Sequence, residues 1–334
     1  MRILTNLITM SLALALTTSA WAMNNYDVSK MSAEEAYQHG KLLRSQFKNS
    51  EAKTYLQYAA DNGYPNGAYL YAMESMGNQT NPRAVENAIV YLTNAAELGS
   101  RPALRYLYRQ GEWLSEAKRL KYQTQYYNSL IELGAQSPGV AYLCLSDYFY
   151  AEDKELSAYY LSKAIEFELP SAHMISAQRL ESEEGSFFFA SDRVAQVEQH
   201  YLQAAELGYI PAIKKYITIL EQKGKYKEAL TWREKALTQG DITSLVSLGA
   251  IYSGSSVRYG FVEQDLAKAK AYFELYLDNA GQDSLSDIYK QTEYNHKNII
   301  DKITVDKEHQ VERIKDGLSN VDFFYNYDFL WSIN

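Results

Sequence analysis

Cysteine is almost missing: Cys144 is the only one in 334 residues, so no intramolecular disulfide can form. It sits in an apolar helical stretch, Ala141-Tyr-Leu-Cys-Leu-Ser, where a small buried thiol is expected rather than a nucleophile. No cysteine stands beside the cleavage site proposed below, which removes the usual attachment point of a bacterial lipid anchor. Positive charge is also in deficit. Lys and Arg number 33 against 41 Asp and Glu, a formal net charge of -8, so the basic footprint that holds a protein on phosphate backbone is lacking and nucleic acid is excluded as a partner. The five histidines, His39, His173, His200, His296 and His309, never stand three or four residues apart, so no helix carries a local metal pair. Neither a Gly-x-Ser-x-Gly elbow, a phosphate loop nor a Gly-x-Gly-x-x-Gly fingerprint occurs, and no cofactor is expected. Beyond residue 22, no apolar run is long enough to span a bilayer.

What is present begins with an export signal. Arg2 precedes an apolar stretch from Ile3 to Leu16, followed by Thr17-Thr-Ser-Ala20-Trp-Ala22, whose Ala-x-Ala suits a signal peptidase. Cleavage is expected after Ala22, giving a soluble periplasmic protein without a lipid anchor. With 46% apolar residues the mature chain has ample material for a core, and its 30 tyrosines are a pronounced excess.

Glycine (17) and proline (6) are few, and many of them punctuate a repeat. Its unit is an aromatic residue, a step of four to Ala-Ala, then Gly, then Pro or a small residue, then Ala. Clear copies are Tyr55-Leu-Gln-Tyr-Ala59-Ala60-Asp-Asn-Gly63-Tyr-Pro65-Asn-Gly-Ala68 and Tyr91-Leu-Thr-Asn-Ala95-Ala96-Glu-Leu-Gly99-Ser-Arg-Pro102-Ala103, 36 residues apart. Degenerate copies follow at Gly134, Glu168, Gly208, Gly240 and Ala280-Gly281, with spacings on the order of 32 to 40 residues. A Gly after Ala-Ala ends a helix in the left-handed region, and the small residues let the next helix approach closely. Such a hairpin cannot bury its apolar faces alone, so hairpins must stack into a solenoid.

The last copy is the most complete: Leu248-Gly249-Ala-Ile-Tyr252-Ser-Gly254, then Asp265-Leu-Ala-Lys268-Ala269 and Tyr272-Phe273. It resembles the Sel-1-like repeat family, tetratricopeptide relatives with Leu-Gly-x-x-Tyr-x-x-Gly and Asp-x-x-Lys-Ala positions. The resemblance implies an all-α, right-handed α-solenoid of about seven stacked hairpins over residues 33–281, after a short segment 23–32. Charged capping helices are expected over 282–320, and an aromatic tail over 321–334. It further implies a scaffold that binds protein and is not an enzyme. Exported relatives include immunity proteins that neutralise phospholipase-type effectors of the type VI secretion system; others help assemble secretion, motility or polysaccharide-export machinery. A toxin or effector is thus one expected partner, an envelope complex the other.

Two Ser-x-x-Lys matches, at Ser50 and Ser115, fall where a hairpin's second helix begins and are expected to be helix caps rather than nucleophiles. The candidate partner-binding residues are aromatic. Tyr69, Tyr71, Tyr106, Tyr108, Tyr142 and Tyr148 lie on first helices, which line the concave surface of tetratricopeptide-like solenoids, and Tyr gives large contact area with few rotors. Packing between helices is the alternative reading of the group, and an acidic groove is expected around it. Phe187 and Phe188 lie in a long connection, either folded on the edge or exposed as a binding tip. Phe329 and Trp331 lie in the tail, which either packs on the last repeats or anchors a partner.

Overall fold

The computed structural model describes residues 27–77, 82–182, 185, 187, 189–282 and 286–325. The proposed signal, Phe188, Phe329 and Trp331 lie outside them. The described residues form helical hairpins in series: α1 (Ala33–Ser45) with α2 (Asn49–Asp61), α3 (Pro65–Met76) with α4 (Pro82–Glu97), and α5 (Arg101–Gln110) with α6 (Glu116–Gln136). They continue as α7 (Pro138–Phe149) with α8 (Lys154–Glu166), α9 (Pro170–Glu181) with α10 (Ala190–Glu206), α11 (Ile210–Gln222) with α12 (Tyr226–Thr238), and α13 (Ile242–Tyr252) with α14 (Leu266–Asn279). Two more helices, α15 (Ser286–Ile300) and α16 (Val305–Gly317), pack on α14. The fold is an all-α solenoid of seven hairpins with a helical cap among the described residues.

The chemistry of the turns explains the phasing. Each of the six prolines stands at the first or second position of a helix, where its missing N–H costs no hydrogen bond. Between hairpins, Gly63, Gly99, Gly208 and Gly240 have φ of 79°, 87°, 84° and 92°. In each of these turns the third residue past the helix closes back on it: Tyr64, Ser100, Tyr209 and Asp241 donate to the carbonyls of Ala59, Ala95, Ala204 and Ala236 at 2.9 to 3.0 Å. Those alanines are fully buried, because the next first helix lies against them: a Cβ on Gly67 would collide with that of Ala59. Larger side chains there would separate successive hairpins. At the fourth junction Glu168 takes the left-handed position at φ 53°, and the equivalent bond, Leu169 to Ala164, lengthens to 3.4 Å. The contacts between α8 and α9 are correspondingly the sparsest between adjacent hairpins.

Two local expectations are corrected. Gly134 is not a terminator; α6 runs through it to Gln136, and Ser137 joins α6 directly to α7. Ser115 and Asp265 do cap their helices, but α2 begins at Asn49, so Ser50 lies inside its first turn and the capping position is Lys48, with no side-chain cap bond.

The solenoid closes on itself. The Gly281 N–H, just past α14, donates to the Gln46 carbonyl in the α1–α2 turn at 2.8 Å, and Lys48 Nζ reaches the Asp278 carbonyl at 3.0 Å. Residues 321–325 form a strap along this junction. Phe324 makes a parallel backbone bridge with Asp241: its N–H donates to the Gly240 carbonyl at 3.0 Å, and its carbonyl accepts from Ile242 at 3.3 Å. The Tyr325 N–H donates to Ser45, and Gln46 Nε2 to the Phe323 carbonyl, both at 2.8 Å. Phe323 and Phe324 are buried, Phe324 against Ile210, and the Tyr325 ring lies 5.1 Å from that of Phe47. Burying each Phe ring contributes about 2 kcal/mol, so the start of the aromatic tail packs, against the first hairpin as well as later ones.

Candidate functional site

Five of the seven first helices carry a proline at their first or second position. Four residues after it stand Tyr69 in α3, Tyr106 in α5, Tyr142 in α7, Met174 in α9 and Lys215 in α11. Pro65, Pro138 and Pro170 open their helices whereas Pro102 and Pro211 stand second, so these positions differ by one residue relative to the helix start. All three tyrosines are half-buried, so each offers a flank to solvent while its base packs. Trp113, 44% exposed, extends the apolar surface beside Tyr106, with the two ring centres 6.5 Å apart. Burial raises the Tyr69 hydroxyl above the usual tyrosine range, although Arg44 and Arg105 nearby oppose the rise.

The other expected tyrosines, Tyr71, Tyr108 and Tyr148, are half-buried as well and make defined contacts. Tyr71 meets Tyr91 edge-on at 4.7 Å, and the Tyr91 hydroxyl donates to Asp61 at 2.6 Å. Tyr108 and Tyr148 belong to an aromatic cluster with Tyr126, Tyr127 and Phe149. The Tyr108 hydroxyl accepts from Arg109 at 2.8 Å and that of Tyr148 from Gln123 at 3.2 Å. Tyr142 stacks on Tyr160 at 6.1 Å, so it packs too. Phe187 is half-buried in the α9–α10 connection, and neighbouring Phe189 is 60% exposed.

Charged side chains pair beside these tyrosines. Arg105 and Arg109 converge on Asp147, at 2.9 and 3.3 Å, and Arg44 pairs with Glu74. Two guanidinium groups thus meet one carboxylate beside Tyr106 and Tyr108, and on α11 Lys214 stands 4.0 Å from Asp241. Sequence reasoning missed these cations because net charge over the whole chain says nothing of one face.

A polar relay lies between α9 and α10. His173 Nδ1 and His200 Nδ1 are 3.1 Å apart, and His200 Nε2 is 3.1 Å from the Ser176 hydroxyl. Burial lowers the proton affinity of both rings, and a charge on His173 further disfavours charging of His200. With His200 Nδ1–H donating to His173, its Nε2 can accept from Ser176, the order of a serine–histidine relay. Ser176 sits in the interior of α9, whose backbone N–H groups are spent on the helix and so are not free to hold an oxyanion. Burial also raises the Cys144 thiol to about 12, which keeps it protonated and poorly nucleophilic. Among the described residues no three His, Cys, Asp or Glu side chains are grouped to hold a metal ion, and no helix is long and apolar enough to cross a membrane.

The hairpin series defines an all-α helical-repeat solenoid. Among solved structures the chain is similar to a protective antigen of uropathogenic Escherichia coli described as displaying a Sel1-like-repeat fold, at 19% identity and a TM-score of 0.40 over 86% of this chain. It spans 61% of that protein's length. It is also similar to a Sel1 repeat protein from Oxalobacter formigenes, at 17% identity and a TM-score of 0.40, covering 87% of this chain and 86% of the other. No protein-family profile and no curated protein matches the chain.

Proposed function

We propose that the chain is a non-enzymatic periplasmic binding protein, an immunity protein that neutralises a phospholipase-type effector of the type VI secretion system by direct contact. The observation that carries the binding role is the set of half-buried tyrosines Tyr69, Tyr106 and Tyr142 on the first helices of three successive hairpins, with Arg105 and Arg109 on the helix of Tyr106. Aromatic and arginine side chains on a rigid frame are the residue types that dominate interface energetics. The signal-like residues 1–22 support export, and the Sel-1-like resemblance supports the choice of a secreted toxin over a cytoplasmic target. The flanking guanidinium groups suit an acidic rim around the effector's cleft.

The test is genetic and direct. A strain lacking the gene, placed beside effector-delivering sister cells, is expected to lose viability and to be rescued by the wild-type gene. A Tyr69→Ala/Tyr106→Ala/Tyr142→Ala version that accumulates normally is expected not to rescue it. Equal survival of the parent and the deletion strain would overturn the immunity role; recovery of the protein in a resident envelope complex would place it instead as an adaptor.

A further inference from the structure

Backbone strain marks two places in the solenoid. Among the described residues, two non-glycine side chains stand in the left-handed region, Phe47 at φ 61° and Glu168 at φ 53°. Such positions cost free energy and collect where a fold has to move. Phe47 lies in the closure between the first and last hairpins, its ring 5.1 Å from that of Tyr325. Glu168 lies at the α8–α9 junction, the loosest between adjacent hairpins, where the backbone bonds from Leu169 to Ala164 and from His173 to Leu169 are both 3.4 Å long. The apolar core is thin there as well. One large buried cluster ends at Leu145 and the next begins at Met174, with a small cluster of Leu143, Leu161, Ala164 and Ala172 between them. Polar contact across the junction includes Arg179, whose guanidinium donates to the Ser146 hydroxyl at 3.0 Å and lies 4.5 Å from the Tyr150 ring centre.

We propose that the solenoid is a clamp that opens at the contact between its first and last hairpins and pivots at the α8–α9 junction. The closure can part at low cost. Its bonds run from Gly281 to Gln46, Lys48 to Asp278, Gln46 to Phe323 and Tyr325 to Ser45, and each ends on a backbone carbonyl that water can satisfy instead. Among the described residues no buried apolar cluster spans the closure: that of the first hairpins runs from Ala36 to Leu70, while Phe323 belongs to the core of the last ones and Phe324 packs on Ile210. The strap's rings therefore stay packed when the closure parts. Parting frees Phe47 from Tyr325, and the loosely held turn at Glu168 absorbs the backbone change, as a few residues at the end of an element do in hinged proteins. Tyr69, Tyr106 and Tyr142 stand before the pivot, in α3, α5 and α7, whereas α11 and α13 stand after it. Opening moves those later helices relative to the tyrosines, so a partner that touches both sides enters the open form and stabilises the closed one. That consequence rests on the binding face proposed above; the motion itself does not.

The protein alone suffices for the test, which separates this inference from the identity of any partner. Pairs of spin labels are placed on the full-length mature chain and their separations read by pulsed electron resonance; Cys144 is buried and stays unlabelled. Glu51→Cys with Gln282→Cys reads across the closure. Glu51→Cys with Lys121→Cys, and Lys227→Cys with Gln282→Cys, each read within one side of the pivot. The first pair is expected to show a short and a longer separation, the ratio of longer to shorter rising about threefold in Gly281→Ala, while both same-side pairs keep a single separation throughout. If Gly281→Ala does not fold, Gln46→Ala, which removes the side-chain bond to Phe323, replaces it with the same shift expected. A single separation across the closure in the wild type overturns the proposal. So does equal broadening of all three pairs, which would assign the motion to flexing at every junction.

Discussion

The Gly281 N–H and the Gln46 carbonyl, 2.8 Å apart, join the last hairpin to the first across most of the chain's length. Repeat arrays usually gain stability only from neighbouring units; here a long-range contact is added, and glycine is what permits it. A Cβ on Gly281 would fall inside van der Waals contact with the Phe47 carbonyl, and one on Gly240 would do the same with the Asp322 carbonyl beneath the strap. Gly240→Ala is further strained by its φ of 92°. Each substitution is expected to destabilise the junction by about 2 kcal/mol and to open the solenoid. Small-angle scattering checks this: the radius of gyration rises in both variants, whereas Gly317→Ala, with open space around it, leaves it unchanged.

The fourth junction offers the opposite experiment. Glu168 occupies the left-handed position that glycine holds at four other junctions, at φ 53°. A side chain there costs about 1 kcal/mol, partly offset in a Glu168→Gly variant by the greater freedom of its unfolded chain. The net expectation is a gain of about 0.5 kcal/mol, seen as slower hydrogen exchange of the Leu169 amide and a higher melting temperature.

Acid weakens the fold through its buried histidines. Burial is the leading cause that holds His39, His173 and His200 below the ordinary histidine range. With folded values depressed, the unfolded chain binds protons first, so the stabilisation is complete above the unfolded value of about 6.5 and is lost as pH falls through the folded values. Charging both His173 and His200 also places two cations across a 3.1 Å contact. Thermal melts between pH 7.5 and 5 are expected to fall more steeply for the wild type than for His200→Asn, which keeps a polar partner for Ser176. Parallel curves would assign the acid sensitivity to carboxylates such as Glu221 and Glu274, whose depressed values act at lower pH.

Ala236 tests the packing rule of the turns. It is fully buried where α13 follows α12, and its carbonyl accepts the Asp241 N–H. Ala236→Leu adds three carbons to a closed contact and is expected to cost about 2 kcal/mol, as a lowered urea midpoint.

Hairpin phasing was legible because local chemistry writes it: Ala-Ala, a left-handed residue and a helix-opening proline within ten residues. Gly134 misled because helix interiors tolerate glycine, and its neighbour Ser137 ends α6 without one. Closure had no local signature, since Gln46 and Phe47 meet Gly281 and Tyr325 only after the curvature of seven hairpins has accumulated. The tyrosine contacts were hidden for the same reason. Position on a first helix identified the group, but only the neighbouring helix decides that Tyr71 meets Tyr91 and that Tyr108 and Tyr148 share a cluster with Tyr126.

The most direct measurement is titration of purified phospholipase effector with the mature protein, reading lipid hydrolysis and binding together. Stoichiometric loss of activity is expected, with the Tyr69→Ala/Tyr106→Ala/Tyr142→Ala variant binding at least a hundredfold more weakly while retaining its helical spectrum. Undiminished hydrolysis at excess protein, or equal inhibition by wild type and variant, would contradict the assignment of this face to toxin neutralisation.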